Sequence, residues 1–123
     1  MKHIAIYHAK PDMLPDGKLM LAEYGWATGE RREELRQLAR MFFATRYELV
    51  AIYRSSVEDT GDITNHLEKA YSKTQHIGED WRDNEGFHFL PARPVLVRST
   101  SIGDIMQVGD ALYIVEPIGY SKL

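Results

Sequence analysis

The sequence predicts an α+β domain: a mainly antiparallel sheet with about two helices packed on one face. Segments rich in β-branched and aromatic residues are typical of strands, and two segments with helical spacing of apolar residues lie between them. Near the end of the sequence, short strand-like runs are joined by a Gly-Asp pair, which indicates a hairpin. The length of 123 residues suits one compact domain, so we expect residues 1–123 to form a single domain.

The first strand is predicted at "HIAIY", residues 3–7, and two prolines and a glycine then mark a loop. The stretch "LMLAEYGWATG", residues 19–29, fits a short strand followed by a loop that carries Trp26. Residues 30–46 form the clearest predicted helix, with Thr28 as its N-cap. The apolar stripe of this helix consists of Leu35, Leu38, Ala39 and Phe42.

The second half of the chain begins with a strand predicted at residues 47–53, buried on both faces. A second helix is predicted at 63–74 with Asp62 as its cap, and "PVLVR", 94–98, predicts another strand. Gly109 supplies the turn of the hairpin that follows. The apolar stripe of the second helix consists of Ile63, Leu67, Ala70 and Tyr71.

Composition excludes several classes of protein. The formal charge is −3, which provides no basic surface for non-specific binding to duplex nucleic acid. There is no cysteine, so no disulfide, thiolate nucleophile or cysteine-bound zinc exists. No apolar run approaches the roughly 18 residues of a membrane span, and the N-terminus is too polar for a signal peptide. We expect a soluble cytoplasmic protein.

Catalytic and metal-binding patterns are weak. The five histidines lack the close spacing of metal ligands, and the hydroxyl residues 99–101 lack the G-x-S-x-G elbow of a serine nucleophile. We therefore expect no metal, no cofactor and no catalytic residue, and the sequence favours a non-enzymatic protein. Glu116 ends an apolar strand and is the acid expected to be buried, in an ion pair with Arg93 or Arg98.

Two binding alternatives stay open. An anion could be bound by the side chains and backbone of Arg98, Ser99, Thr100, Ser101 and Gly103, although Ser and Thr also favour turns for structural reasons. A nucleic acid could be bound by a basic strip on the first helix, although glutamates are interspersed there. The strip consists of Arg31, Arg32, Arg36 and Arg40.

The aromatic residues suggest a surface for a protein partner. Trp26 and Trp81 lie in predicted loops, where a core position is favoured, but an exposed tryptophan would mark a partner surface. An acidic segment surrounds Trp81 and is our candidate contact face. It consists of Glu79, Asp80, Trp81, Asp83 and Glu85.

The last sixty residues carry a recognisable pattern. A helix ends in "TQHI" (74–77), Trp81 follows in an acidic segment, and "RSTSIGD" (98–104) leads into the hairpin and a closing "YIVEPIGY" (113–120). This tail resembles that of small uncharacterised phage, plasmid and bacterial proteins, including YodL-like domains of mobile elements. The resemblance implies a mobile-element origin and no particular chemistry. We expect an accessory protein of a phage or plasmid that binds another protein, in regulation or in countering host defence.

Overall fold

A computed structural model describes residues 2–11, 13–14, 19–55, 62–75, 87–88 and 99–123. Within these residues the chain forms six strands and four helices. In chain order they are β1 (Lys2–Ala9), α1 (Met20–Trp26), α2 (Gly29–Met41), α3 (Phe43–Arg46), β2 (Tyr47–Ser55), α4 (Ile63–Lys73), β3 (Phe87–His88), β4 (Ile105–Val108), β5 (Ala111–Val115) and β6 (Tyr120–Lys122). In this part of the chain, no helix is long and apolar enough to cross a bilayer.

All six strands form one sheet, in the order β3-β2-β1-β4-β5-β6. Each neighbouring pair is antiparallel. β1 lies in the middle and pairs with β2 along its whole length, apart from a bulge between Ile6 and Tyr7. The α+β class and the antiparallel sheet are therefore confirmed.

The helices cover both faces of the sheet. Ile6 pairs with Met106, and both side chains pack in one core cluster with α4. The neighbouring Ile105 points the other way and packs with α1 and α2 in a second cluster. The arrangement thus differs from the expected two helices on one face, since four helices are divided between the two faces. The reason is that the strands carry apolar side chains on both faces of the sheet, and each face has to be covered.

Locally encoded elements are confirmed. α4 begins at Ile63, and the Asp62 carboxylate accepts a hydrogen bond from the Thr64 backbone N–H at 3.0 Å. The α4 stripe predicted from the sequence packs against the sheet. In α2, Leu35 and Ala39 are buried as expected, while Thr28 occupies the N-cap position without a side-chain cap bond. The hairpin turns at Gly109, whose φ is +60°.

The strand predicted within residues 19–29 was wrong, and a second predicted strand lies outside the described residues. Residues Met20–Trp26 form a helix and not a strand. Met20 and Tyr24 are both buried and lie four residues apart, the spacing of one helical face, which is hard to recognise in seven residues. The strand expected at 94–98 falls outside the described part. The single domain over residues 1–123 stays a prediction.

Gly103 is required by both its backbone and its surroundings. Its φ is +90°, and a Cβ built there would lie 2.6 Å from Met20 Cγ. Gly109 also has a positive φ, but a Cβ there would meet nothing within 4 Å. Alanine substitutions at the two glycines therefore distinguish the cost of backbone strain, which both share, from the cost of the clash with Met20, which occurs only at Gly103.

We predict that Gly103→Ala lowers the free energy of unfolding by at least about 2 kcal/mol, because Met20 must move as well as the backbone. Gly109→Ala, the matched control, should cost about 1 kcal/mol, the ordinary cost of alanine in a left-handed conformation. Urea denaturation of both variants measures the difference. Equal losses would show that Met20 does not restrict this position.

Candidate functional site

Residues 99–104, which we call the elbow, enter the sheet just before β4. The elbow uses its own backbone donors inside the molecule. The Thr100 N–H donates to Thr74 O at 3.2 Å, the Gly103 N–H to Val115 O at 2.8 Å, and the Asp104 N–H to Ser101 O at 3.0 Å. These bonds join the elbow to the end of α4 and to β5, so it is a structural junction.

The Asp104 carboxylate is the centre of this junction. It is only 1% exposed. One oxygen, Oδ1, accepts from the Ala9 N–H at 2.9 Å, and Oδ2 accepts from the Ser101 N–H at 2.7 Å. A buried carboxylate needs such donors, because burial removes its hydration. The Ser101 N–H, one of the backbone donors of the elbow, is therefore already bound to a side chain of the protein itself.

The hydroxyl of Thr100 bonds to a side chain. Thr100 Oγ1 lies 3.0 Å from His8 Nε2, with both residues buried. The Thr100 carbonyl accepts from Gln75 Nε2 at 2.9 Å. Ser and Thr favour turns because their hydroxyl groups bond to nearby backbone atoms. At Thr100 the hydroxyl pairs with histidine, while Asp104 and Gln75 bind the backbone.

By residue type, His8, Thr100 and Asp104 could be mistaken for a base, a nucleophile and an orienting acid. The geometry is different. Asp104 Oδ2 lies 3.9 Å from His8 Nε2, the same nitrogen that faces Thr100. In a catalytic triad the nucleophile and the acid use opposite ring nitrogens. Moreover, the Thr100 hydroxyl is buried and out of reach of a substrate. We read this cluster as structural.

The anion-binding alternative gains no support from the elbow's geometry. The N–H groups of Thr100, Ser101 and Gly103 all donate within the chain. Arg98 lies outside the described residues, and Ser99 is half-buried. The assignment of these residues as a ligand site stays a prediction. Among the described residues, no group of three or more histidine, aspartate or glutamate side chains could hold a metal ion.

A second polar cluster joins α1, α2 and the end of β5. The Tyr24 hydroxyl donates to Glu116 Oε2 at 2.6 Å and accepts from Arg36 Nε at 3.0 Å. Arg36 also donates to Glu116 from its NH2 nitrogen at 2.8 Å. The ion pair expected at Glu116 is present, with Arg36 as its partner. Arg93 and Arg98, the partners expected from the sequence, lie outside the described residues.

The cluster shifts the pKa of its members. Burial, together with the bond to Glu116, raises the pKa of Tyr24 to about 12. Burial would raise the pKa of Glu116, but the hydrogen bonds from Tyr24, Arg36 and Ser121 outweigh it and hold that pKa below its usual value. The ionised carboxylate and the protonated phenol are therefore the forms that the folded protein favours.

Three of the four arginines of α2, Arg31, Arg32 and Arg36, contact neighbouring residues, and the fourth, Arg40, is exposed. Arg31 pairs with Glu34 at 3.2 Å and with Glu23 at 3.5 Å. Arg36 pairs with Glu33 at 3.0 Å as well as with Glu116. The remaining engaged arginine, Arg32, donates from Nε to Ala27 O and lies 5.8 Å from the centre of the Tyr24 ring. These contacts do not favour the nucleic-acid alternative, which stays a prediction.

The outer side of α1 is apolar. Trp26 is 89% exposed and Leu21 is 47% exposed. Ala22 is also exposed, and Gly25 is half-exposed. We call these four residues the α1 face. The structure thus places Trp26 at the surface, against the core position favoured from the sequence. No sequence signal identified this face, because it depends on the helix that was predicted as a strand.

The acidic segment around Trp81 cannot be placed against the α1 face. All five of its candidate residues lie outside the described part of the chain, so this contact stays a prediction. They are Glu79, Asp80, Trp81, Asp83 and Glu85.

We predict that Asp104→Asn lowers the free energy of unfolding by about 1–3 kcal/mol, because one backbone N–H would face the NH2 group of the side-chain amide instead of a carboxyl oxygen. Asp110→Asn, in the exposed hairpin turn, is the control and should change stability by less than about 0.5 kcal/mol. Chemical denaturation measures both. Similar values for the two variants would contradict the role assigned to Asp104.

We also predict that Glu116→Gln lowers stability by about 1–3 kcal/mol at neutral pH, through loss of its charged hydrogen bonds. The pKa of Glu116 is lower in the folded protein than its ordinary value of 4.5, so its contribution is complete above that pH and is lost as the pH falls further. The difference between wild type and variant should therefore shrink in acid. Glu48→Gln, an exposed position on β2, is the control. A difference independent of pH would contradict the assignment.

Comparison with known proteins adds no relative. No protein-family model matches the chain, and no curated protein or solved structure matches it either. The function proposed next therefore depends on the geometry of the described residues and on the resemblance of the tail.

Proposed function

We propose that this chain is a non-enzymatic, cytoplasmic accessory protein of a phage or plasmid that acts by binding another protein, either of the host or of the element. The resemblance of the tail supports the mobile-element origin, and with it a role in regulation or in countering host defence. The α1 face supports binding to a protein. The acidic segment around Trp81 is proposed as a second contact.

The exposure of Trp26 carries the proposal. A tryptophan side chain presents about 150–250 Å² of largely apolar surface, and at 89% exposure nearly all of it is in contact with water. Covering that surface is favourable, and tryptophan is enriched among the residues that dominate protein–protein binding energy. Leu21 and Ala22 extend the apolar surface along the same helix.

The cluster beneath α1 favours binding by holding the helix in place. Tyr24 is fully buried two residues before Trp26, and its hydroxyl bonds to both Glu116 and Arg36. A contact residue on a fixed helix loses less conformational entropy on binding than one on a loose segment. The polar cluster and the apolar face therefore support the same role for α1.

The proposal is tested by affinity capture in a lysate of host cells that carry the mobile element. We expect the tagged protein to recover a stoichiometric partner, and Trp26→Ala to reduce its recovery by about tenfold or more. The control is Met41→Ala, since Met41 is 71% exposed, lies at the end of α2 and is not part of the α1 face. Absence of any stoichiometric partner, or equal loss with both variants, would contradict the proposal.

A further inference from the structure

The last strand of the sheet has an open edge. β6 pairs with β5 on one side, and in the part of the chain that the structure describes no strand pairs with its other side. The Leu123 N–H donates to Leu112 O at 2.8 Å, so the backbone of Leu123 faces β5. Because inward and outward backbone groups alternate along an antiparallel strand, the N–H and C=O groups of Tyr120 and Lys122 point away from β5.

An open edge of this kind specifies the conformation of what covers it. A row of outward backbone N–H and C=O groups is complementary to the same row on another extended strand, and this pairing is a recurring mode of protein recognition. β6 of a second copy of this chain is such a strand, since it presents the same outward groups. The edge can therefore be covered by its own copy about a two-fold axis.

We infer that β6 pairs with β6 of a second copy of this chain, antiparallel and about a two-fold axis at Ser121, so that the two sheets become one. In this register Tyr120 of each copy lies opposite Lys122 of the other, and the outward backbone groups of both residues are bonded. An axis at Lys122 would instead place two lysines opposite each other, which is unfavourable. This inference goes beyond the proposed function, because it concerns an edge of the sheet and not the α1 face.

The charges beside the edge favour a copy of the chain as the occupant. Tyr120 packs against the core cluster that contains α4, and its hydroxyl forms a hydrogen bond with Glu68, an exposed residue of α4. Lys122 lies on the same face of the sheet as Tyr120, because the two are separated by one residue in a strand. In the inferred register, Lys122 of each copy therefore lies beside Tyr120 and Glu68 of the other. A lysine on an edge discourages pairing with a like charge, whereas here it meets a carboxylate.

Sedimentation of the purified protein from micromolar to millimolar concentration tests the inference. We expect a reversible monomer–dimer equilibrium whose dissociation constant rises by about tenfold in Lys122→Glu, because a carboxylate then faces Glu68 in both halves of the contact. Arg40→Glu, at an exposed position of α2, changes the net charge by the same amount and should alter the dissociation constant little. Circular dichroism would verify the fold of both variants. A wild-type protein that stays monomeric, or equal weakening by the two variants, would overturn the inference.

Amide hydrogen exchange and a proline variant locate the contact. The N–H groups of Tyr120 and Lys122 should exchange more slowly as the protein concentration rises, whereas the Ser121 N–H, which faces β5, is protected in monomer and dimer alike. Lys122→Pro removes an outward donor that β5 does not use, and it should abolish the dimer. A dimer that survives this variant, or outward amides whose exchange does not depend on concentration, would overturn the inference. A monomeric chain that captures a host protein through Trp26 would overturn it too, but would leave the proposed function intact.

Discussion

The rest of the structure depends on a carboxylate that is almost wholly removed from water. The Asp104 side chain is buried, and its two oxygens accept hydrogen bonds from the N–H groups of Ala9 and Ser101, which offset the loss of hydration. These donors lie at the end of β1 and in the elbow, far apart in sequence. The same side chain thus links the elbow to the end of the central strand β1, which pairs with β4.

From the elbow the constraint extends to α1. Gly103 accepts a bond from the Tyr47 hydroxyl at 2.7 Å and leaves the space that Met20 occupies. Tyr24, four residues after Met20 in α1, lies in the cluster with Arg36 and Glu116. The position of α1 is therefore set by packing at its first turn and by charged hydrogen bonds at its second.

The internal use of polar side chains supports the function we propose. Side chains that suggested ligand chemistry in the sequence, such as Thr100 and Arg36, make their bonds within the chain. The three residues of α1 that are classed as exposed, Leu21, Ala22 and Trp26, are apolar, and Trp26 is the most exposed of them. A surface of that kind gains free energy from contact with another apolar surface, which is why protein binding is the reading that the geometry favours.

The sequence by itself determined the elements that are encoded locally. Asp62 caps α4 through an N–H two residues away, and Gly109 turns the hairpin within four residues, so both could be predicted from neighbours in the chain. The expectation that Glu116 forms an ion pair was also sound. Its partner Arg36 lies 80 residues away, and nothing in a linear sequence specifies a contact over that distance.

Only the tertiary structure decided which side chains meet and which stay outside. The pairing of His8 with Thr100 joins positions 92 residues apart, and the helix at Met20–Trp26 is too short for its period to be read. The exposure of Trp26 depends on that helix and on how it is held, so sequence reasoning favoured the wrong side for it. Local patterns fix the conformation of short segments, whereas burial and long-range polar contacts arise only when all segments pack together.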